Sequence, residues 1–272
     1  MADQLGFADG WVSPKLGRNA SLERLAAEVK WYRFEKLLAR LRRGGPGRPP
    51  YDPLLMLKAL LLQQCYALSD ADLEEAINDR VSFRKFLGLS LEAASPDHTT
   101  LCRFRNQLVE EQLSEKLFAE FERQLEMRGL ILKRGTMIDA SLVESPLIRR
   151  LELPPANVND TVAADPLVCG DEQAVYADKA YAKRARRQWL RGLGIKPRIM
   201  HKSWGGGPPL THWQRRHNKL IAPIRAQVEG VFATLKRWMG LAQVRYKGLA
   251  KNRSHWFLVA LAYNMNRALK LA

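Results

Sequence analysis

From Lys179 to Ala272 the chain has no aspartate and a single glutamate, Glu229. A lone carboxylate in such a region is either a local salt-bridge partner or a metal ligand. Cysteine is scarce. Cys65, Cys102 and Cys169 lie far apart without CxxC spacing, which excludes a disulfide framework and points to reduced, buried thiols in a cytosolic protein. No Cys or His pair has zinc-ligand spacing, and the five histidines are scattered, so zinc chemistry is not expected. No apolar run approaches the roughly 18 residues of a membrane span, and no signal peptide is visible, so no membrane partner is expected. The phosphate-cradling GxxxxGK[ST] is absent, which excludes a nucleoside-triphosphate motor. No serine or cysteine nucleophile has a visible supporting triad.

What is present is positive charge, unevenly placed. Residues 1–178 carry 23 Lys or Arg against 27 Asp or Glu, whereas residues 179–272 carry 21 against one. The formal net charge of +16 therefore resides in the second region, the pattern of a polyanion-binding surface. Lys183, Arg184, Arg187, Arg215 and Arg216 are its candidate phosphate contacts. Tyr181, Trp189, Trp204, Trp213, Trp238 and Tyr246 are interleaved with these cations, and Arg with aromatic side chains suits phosphates and unstacked bases. A length of 272 residues with 46% hydrophobic content supports one large or two modest domains.

Residues 1–20 are polar and glycine-containing, a loose arm by composition. Ser21 is the expected N-cap of one helix running to Leu41, broken by GGPGRPP at 44–50 with Arg42, Arg43 and Arg48 around it. Pro53 opens an apolar helix over 54–67, the central helix of a bundle. Ser69-Asp70 caps the next helix, whose first turn carries Asp72, Glu74 and Glu75. A short helix follows over 81–89. Ser95-Pro96 opens a helix over 97–108 that offers His98, Thr99, Arg103 and Arg105 to a DNA groove, unless it is an ordinary bundle member. An amphipathic helix over 113–128 closes the helical region. Beyond Gly129 the expected strands are 136–143, 147–153, 174–176 and 195–200, with helices over 179–191, 217–236 and 252–271. This predicts an α/β domain over 131–272 behind an all-α domain over 1–130. The short link 144–146 cannot support a parallel crossover, so 147–153 is expected to pair antiparallel with 136–143.

Three carboxylates stand out. Asp139 is the one acid within the 136–143 strand, where the plain alternative is a strand-edge residue bonded to a turn. Asp178 ends the 174–176 strand, where the plain alternative is an N-cap for the following helix. Glu229 shares a helix face with Arg225 and Lys236 at about 100° per residue, where the plain alternative is an i,i+4 pair with Arg225. Together, acids from two strands and a helix suit hard cations, because Mg²⁺ takes oxygen ligands and keeps several waters.

The stretches Gly47–Leu89, SPDHTTLCRFRNQL (Ser95–Leu108), TMIDASLVES (Thr136–Ser145), PANVND (Pro155–Asp160), VYADKAY (Val175–Tyr181) and HNKLIAPIRAQVEGVFATLKRWMG (His217–Gly240) resemble, in order and spacing, the IS5 family of insertion-sequence transposases, of the DDE class. The resemblance implies an RNase H-like catalytic domain with a reduced mixed sheet flanked by helices, behind a helical domain that helps bind terminal inverted repeats. It implies metal-dependent DNA cleavage and strand transfer with two Mg²⁺ (or Mn²⁺) held by Asp139, Asp178 and Glu229. Arg225, Glu229 and Lys236 fall on the family's tyrosine–arginine–glutamate–lysine signature, with Ala222 in place of the tyrosine. The implied partners are the terminal inverted repeats and target of double-stranded DNA and a second copy of the chain, in a nucleoid-associated cytoplasmic setting. A second departure is a shortened segment after Asp139, which leaves four expected strands where such a sheet has five. Two further outcomes of the same ancestry are a catalytically impaired DNA-binding remnant or repressor, and a metal nuclease that does not join ends.

Overall fold

The computed structural model describes residues 15–41, 50–131, 136–138, 141–143, 147–153, 164–203 and 207–271. Arg42, Arg43, Arg48, Trp204, PANVND and Asp139 lie outside them. The chain divides into two compact units, Met1–Gln124 with Arg237–Ala272, and Leu125–Lys236.

The first unit is helical. Its elements are α1 (Ala20–Glu28), α2 (Trp31–Leu38), α3 (Pro53–Tyr66), α4 (Asp70–Asp79), α5 (Val81–Leu87), α6 (His98–Glu110), most of α7 (Leu113–Met127) and α10 (Leu249–Leu271). The single helix expected over 21–41 is two helices, capped by Asn19 rather than Ser21. The break is held from a distance: the Gln124 side chain accepts from Lys30 N (3.0 Å) and donates to Lys30 O (3.3 Å). The Lys30 N–H left over by the break is thereby satisfied, and the Lys30 carbonyl, which also accepts from Arg33 N at 3.1 Å, gains a second donor. Helix α3 begins at Pro53, as expected, and Asp52 is its N-cap. It buries Met56, Leu57, Leu60, Leu61 and Leu62 and has no polar face, so it needs partners all round. One partner is α10, which buries Phe257, Leu258, Val259, Leu261 and Ala262. The sequence grouped α10 with the α/β region; by packing it belongs to the helical unit.

Polar groups tie this unit together. Arg105 is only 5% exposed. It donates to both carboxylate oxygens of Asp70 and to Gln63, and its guanidinium lies 5.1 Å from the centre of the Tyr246 ring. Arg105 was expected at a DNA groove; buried and bonded in this way, it is a core tie instead. His98 is exposed, and Glu74 accepts from its backbone N–H and meets its Nδ1, both at 2.8 Å. Arg103 is exposed. The three thiols expected to be buried are free, with Cys102 exposed and Cys65 and Cys169 half-buried.

His255 lies beside Tyr246, with ring centroids 5.4 Å apart, and neither ring nitrogen finds a partner among the described residues. Burial, helped by Arg245 and Arg105, pulls its pKa down from 6.5 to about 4. The folded state therefore refuses a proton that the unfolded chain accepts between those values, and acid favours unfolding. Stability of the helical unit is expected to fall by about 3 kcal/mol as pH drops from about 6.5 to about 4. Urea denaturation across that range is expected to show the slope in the wild type and a flattened one in His255→Leu.

The second unit is built on a five-stranded sheet of order β3-β2-β1-β4-β5. The strands are β1 (Thr136–Ile138), β2 (Ser141–Val143), β3 (Ile148–Arg150), β4 (Ala174–Ala177) and β5 (Lys196–Ile199). The strand expected over 136–143 is a hairpin: Thr136 pairs with Val143 and Met137 with Leu142, antiparallel. This raises the expected four strands to five, because two-residue connections suffice between antiparallel strands. The expected antiparallel pairing of 147–153 is present, between β3 and β2. Strands β1, β4 and β5 are mutually parallel. The helix expected over 179–191 is a 3-10 turn, Lys179–Tyr181, followed by α8 (Arg184–Gly192). Helix α9 (His212–Trp238) starts five residues earlier than expected and contains Pro223. One side of the sheet packs Val175, Ala177, Tyr181, Leu190, Ile195 and Ile199 into a common core with Ala164 and Leu167.

The register between β2 and β3 slips by one residue, Ser141 facing Arg150 and Leu142 facing Ile148. The extra residue of this bulge is Arg149, which is buried. Its guanidinium donates to both oxygens of Asp171, at 2.9 and 3.1 Å, and so ties β3 to the loop before β4. Asp171→Ala is expected to destabilise this unit by about 3 kcal/mol, because it leaves a buried guanidinium without its carboxylate. Loss of amide-exchange protection in β3 and β4 would report it.

Candidate functional site

Strand β4 lies between β1 and β5, and its buried Ala174, Val175 and Ala177 fix it there. The last residues of the three parallel strands are in register: Ile138 with Ala177, and Ala177 with Ile199. Asp178 is the first residue beyond β4. Asp139 follows Ile138 in sequence and lies outside the described residues. The strands that lead to the two aspartates thus end side by side, about 4.8 Å apart, at the carboxyl edge where parallel sheets gather ligands.

Asp178 is half-buried and caps the 3-10 turn, its Oδ1 accepting from Lys179 N at 2.6 Å. The capping role foreseen as the plain alternative is therefore present, and it also fixes the carboxylate's orientation. Glu229 is exposed on the later half of α9. Carboxylate oxygens of this kind are the hard donors that Mg²⁺ or Mn²⁺ takes, so the donor chemistry fits a divalent ion. A different trio, Cys169, Asp171 and Glu172, brings ligand atoms within 4.8 Å of one another among the described residues. Its carboxylates are already engaged: Asp171 by Arg149, and Glu172 by the backbone N–H groups of Cys169 (2.8 Å) and Gly170 (2.7 Å). Two nearby arginines, one of which (Arg150) donates to the Cys169 sulfur, also disfavour a cation. The trio organises the loop before β4.

The expected phosphate contacts divide. Lys183, Arg184, Arg215, Arg216 and Lys236 are exposed. Arg187 is half-buried and donates to the carbonyls of Ile199 (2.8 Å) and Met200 (3.3 Å). It ties α8 to the end of β5, and burial with the neighbouring Arg191 lowers its pKa. The side chain of Arg225 lies outside the described set.

Sequence reasoning missed a cluster beside this edge. Immediately beyond β5, His201 is clamped to α9 by Asn218, which accepts from His201 N (2.8 Å) and donates to His201 O (3.0 Å). The imidazoles of His201 and His217 and the indole of Trp213 meet there. The one available signal was the i,i+4 spacing of Trp213 and His217 on a helix; His201 carried none.

Residues 12–107 match the family described as Transposase domain (DUF772), and residues 134–265 match the Transposase DDE domain. No solved structure matches the chain. Among the described residues no helix is long and apolar enough to cross a membrane. With a transposase domain over its helical region and a DDE domain over its sheet and the helices that follow, the chain is a DDE transposase of an insertion sequence.

Proposed function

We propose that this transposase is of the IS5 family, with an RNase H-like domain in which Asp139, Asp178 and Glu229 hold the metal ions for cutting DNA at terminal inverted repeats and joining the 3′-hydroxyl to a target. The observation that carries the reading is the parallel register of Ile138 with Ala177, the residues that precede the two aspartates. The five-strand mixed sheet supports an RNase H-like assignment despite the short segment after Asp139. Two Mg²⁺ or Mn²⁺ ions would supply activation of the attacking oxygen and stabilisation of the leaving one. The chain's own part is to pre-orient the donors: the Lys179 N–H holds the Asp178 carboxylate, and α9 presents Glu229 on its accessible face. Arg225, one turn before Glu229, and Lys236, two turns after it, share its helix face and draw phosphate toward it. Lys183, Arg184, Arg215 and Arg216 contact the DNA backbone, with Arg103 and the groove-facing His98 on the helical unit. Inverted repeats come in pairs, and a homodimer matches their two-fold relation. Such a chain works at the nucleoid.

Asp178→Asn separates the two roles of Asp178. Asparagine caps as well as aspartate, so folding is retained while the anionic metal donor is lost. Nicking of supercoiled plasmid in Mg²⁺ is expected to fall at least about 100-fold, the scale of a misplaced catalytic group, and Glu229→Gln is expected to behave alike. Nicking by Asp178→Asn at the wild-type rate would mean that the carboxylate is a cap and nothing more. Supplying an oligonucleotide with a free 3′-hydroxyl then distinguishes joining from nuclease action, and absence of both from a remnant that only binds.

DNA binding is expected to weaken steeply with salt, by about 0.9 in log K per log salt for each phosphate neutralised on duplex DNA. Replacing Arg215 and Arg216 with glutamine is expected to lower that slope by up to about 2. A slope near zero would refute a phosphate-dominated interface.

A further inference from the structure

Trp213 sits in the first turn of α9 with 63% of its surface exposed. A lone exposed aromatic ordinarily needs no explanation. This one is pre-arranged. His217, one turn further on, stacks against the indole at 5.3 Å between centroids and 22° between planes. His201 meets both rings edge-on, 5.3 Å from Trp213 and 5.0 Å from His217. His201 is itself fixed by the two-way bond with Asn218. The indole is therefore a flat ring held in place by a stacked imidazole and an edge-on one, with most of its surface open to solvent.

The surroundings say what fits it. Burial, and then Arg187, lower the pKa of both histidines, so the brace takes up a proton less readily than a free imidazole. Around it lie cations. Arg216 is a face neighbour of Trp213 at i+3, Lys202 follows His201, and both are exposed. Within residues 179–272 the one acid is Glu229. A partner for this surface must bring a flat π-face and negative charge together, and an unpaired nucleotide has both.

We infer that Trp213, braced by His217 and His201, is a stacking platform for an unpaired base of DNA, with Arg216 and Lys202 drawing the adjoining phosphates. The inference rests on the reading of the chain as a DNA strand transferase and adds a seat for a single-stranded nucleotide. A base in a duplex is already stacked on its neighbours, so the platform discriminates for frayed or single-stranded ends.

The test uses the full chain without metal and two DNAs of equal duplex length, one blunt and one with a short single-stranded overhang carrying 2-aminopurine. Wild type is expected to bind the overhang DNA more tightly and to change the 2-aminopurine emission. Trp213→Ala is expected to lose about 5- to 150-fold in affinity for the overhang DNA, the range for one base–aromatic stack, with blunt binding unchanged. Trp213→Phe is expected to keep most of the preference. Equal loss on both DNAs, or none, overturns the platform. So does a change in sedimentation mass with overhang affinity intact, which would mean that a second copy covers Trp213. Wild type that binds blunt DNA without preferring the overhang sinks this inference alone; wild type that binds neither DNA sinks the DNA-binding reading with it.

Discussion

Everything proposed for the second unit depends on the parallel alignment of β4 with its two neighbours. Three strands whose last residues stand in one row create a single edge from which several segments depart together. Short strands of three or four residues have little pairing energy of their own. The alignment is instead secured by the core of Val175, Ala177, Leu190, Ile195 and Ile199, and by polar ties that cross between elements. Arg149 pins the bulged strand to the loop before β4, and Arg187 pins α8 to the carbonyls at the end of β5. These arginines serve the sheet's geometry.

The same division runs through the helical unit. Arg105 belongs to the core, Arg103 to the surface, two residues apart on one helix. A basic composition therefore overstates the number of phosphate contacts. The guanidinium group suits both tasks, because its planar fork satisfies a carboxylate or several carbonyls as readily as a phosphate. What decides is whether the helix turns that face inward. Burial of Arg105 is compensated by Asp70: burial alone would raise that carboxyl's pKa, and the hydrogen bonds from Arg105 and Gln63 bring it below its usual value.

Most helices were legible because their signals are local. Asp52 with Pro53, Ser69 with Asp72, and Asp97 announce α3, α4 and α6 within a few residues. The break between α1 and α2 was not legible, since its partner Gln124 is 94 residues away. Nor was the hairpin at 136–143, which lacks the Asn-Gly or Asp-Gly pair that marks tight turns. The α/β content and the end of β4 at Asp178 were readable from the apolar run Ala174–Ala177 and the charge that stops it. The grouping of α10 was not, because an apolar helix does not record which core it fills. At the candidate site, sequence singled out the three acids and offered capping as one role for Asp178, but gave no sign that His201 joins α9.

The helical unit is discontinuous in sequence, with residues 125–236 inserted between its parts. Its central helix α3 leaves the ribosome long before α10, which covers it. During synthesis the intervening unit can complete its own core while the helical unit still exposes apolar surface to chaperones or to other chains. A message cut short ahead of α10 would then yield the sheet and its acids attached to an unfinished helical core. Such a product is prone to aggregation or proteolysis. The layout thus makes a finished helical unit contingent on translation through residue 249 and beyond.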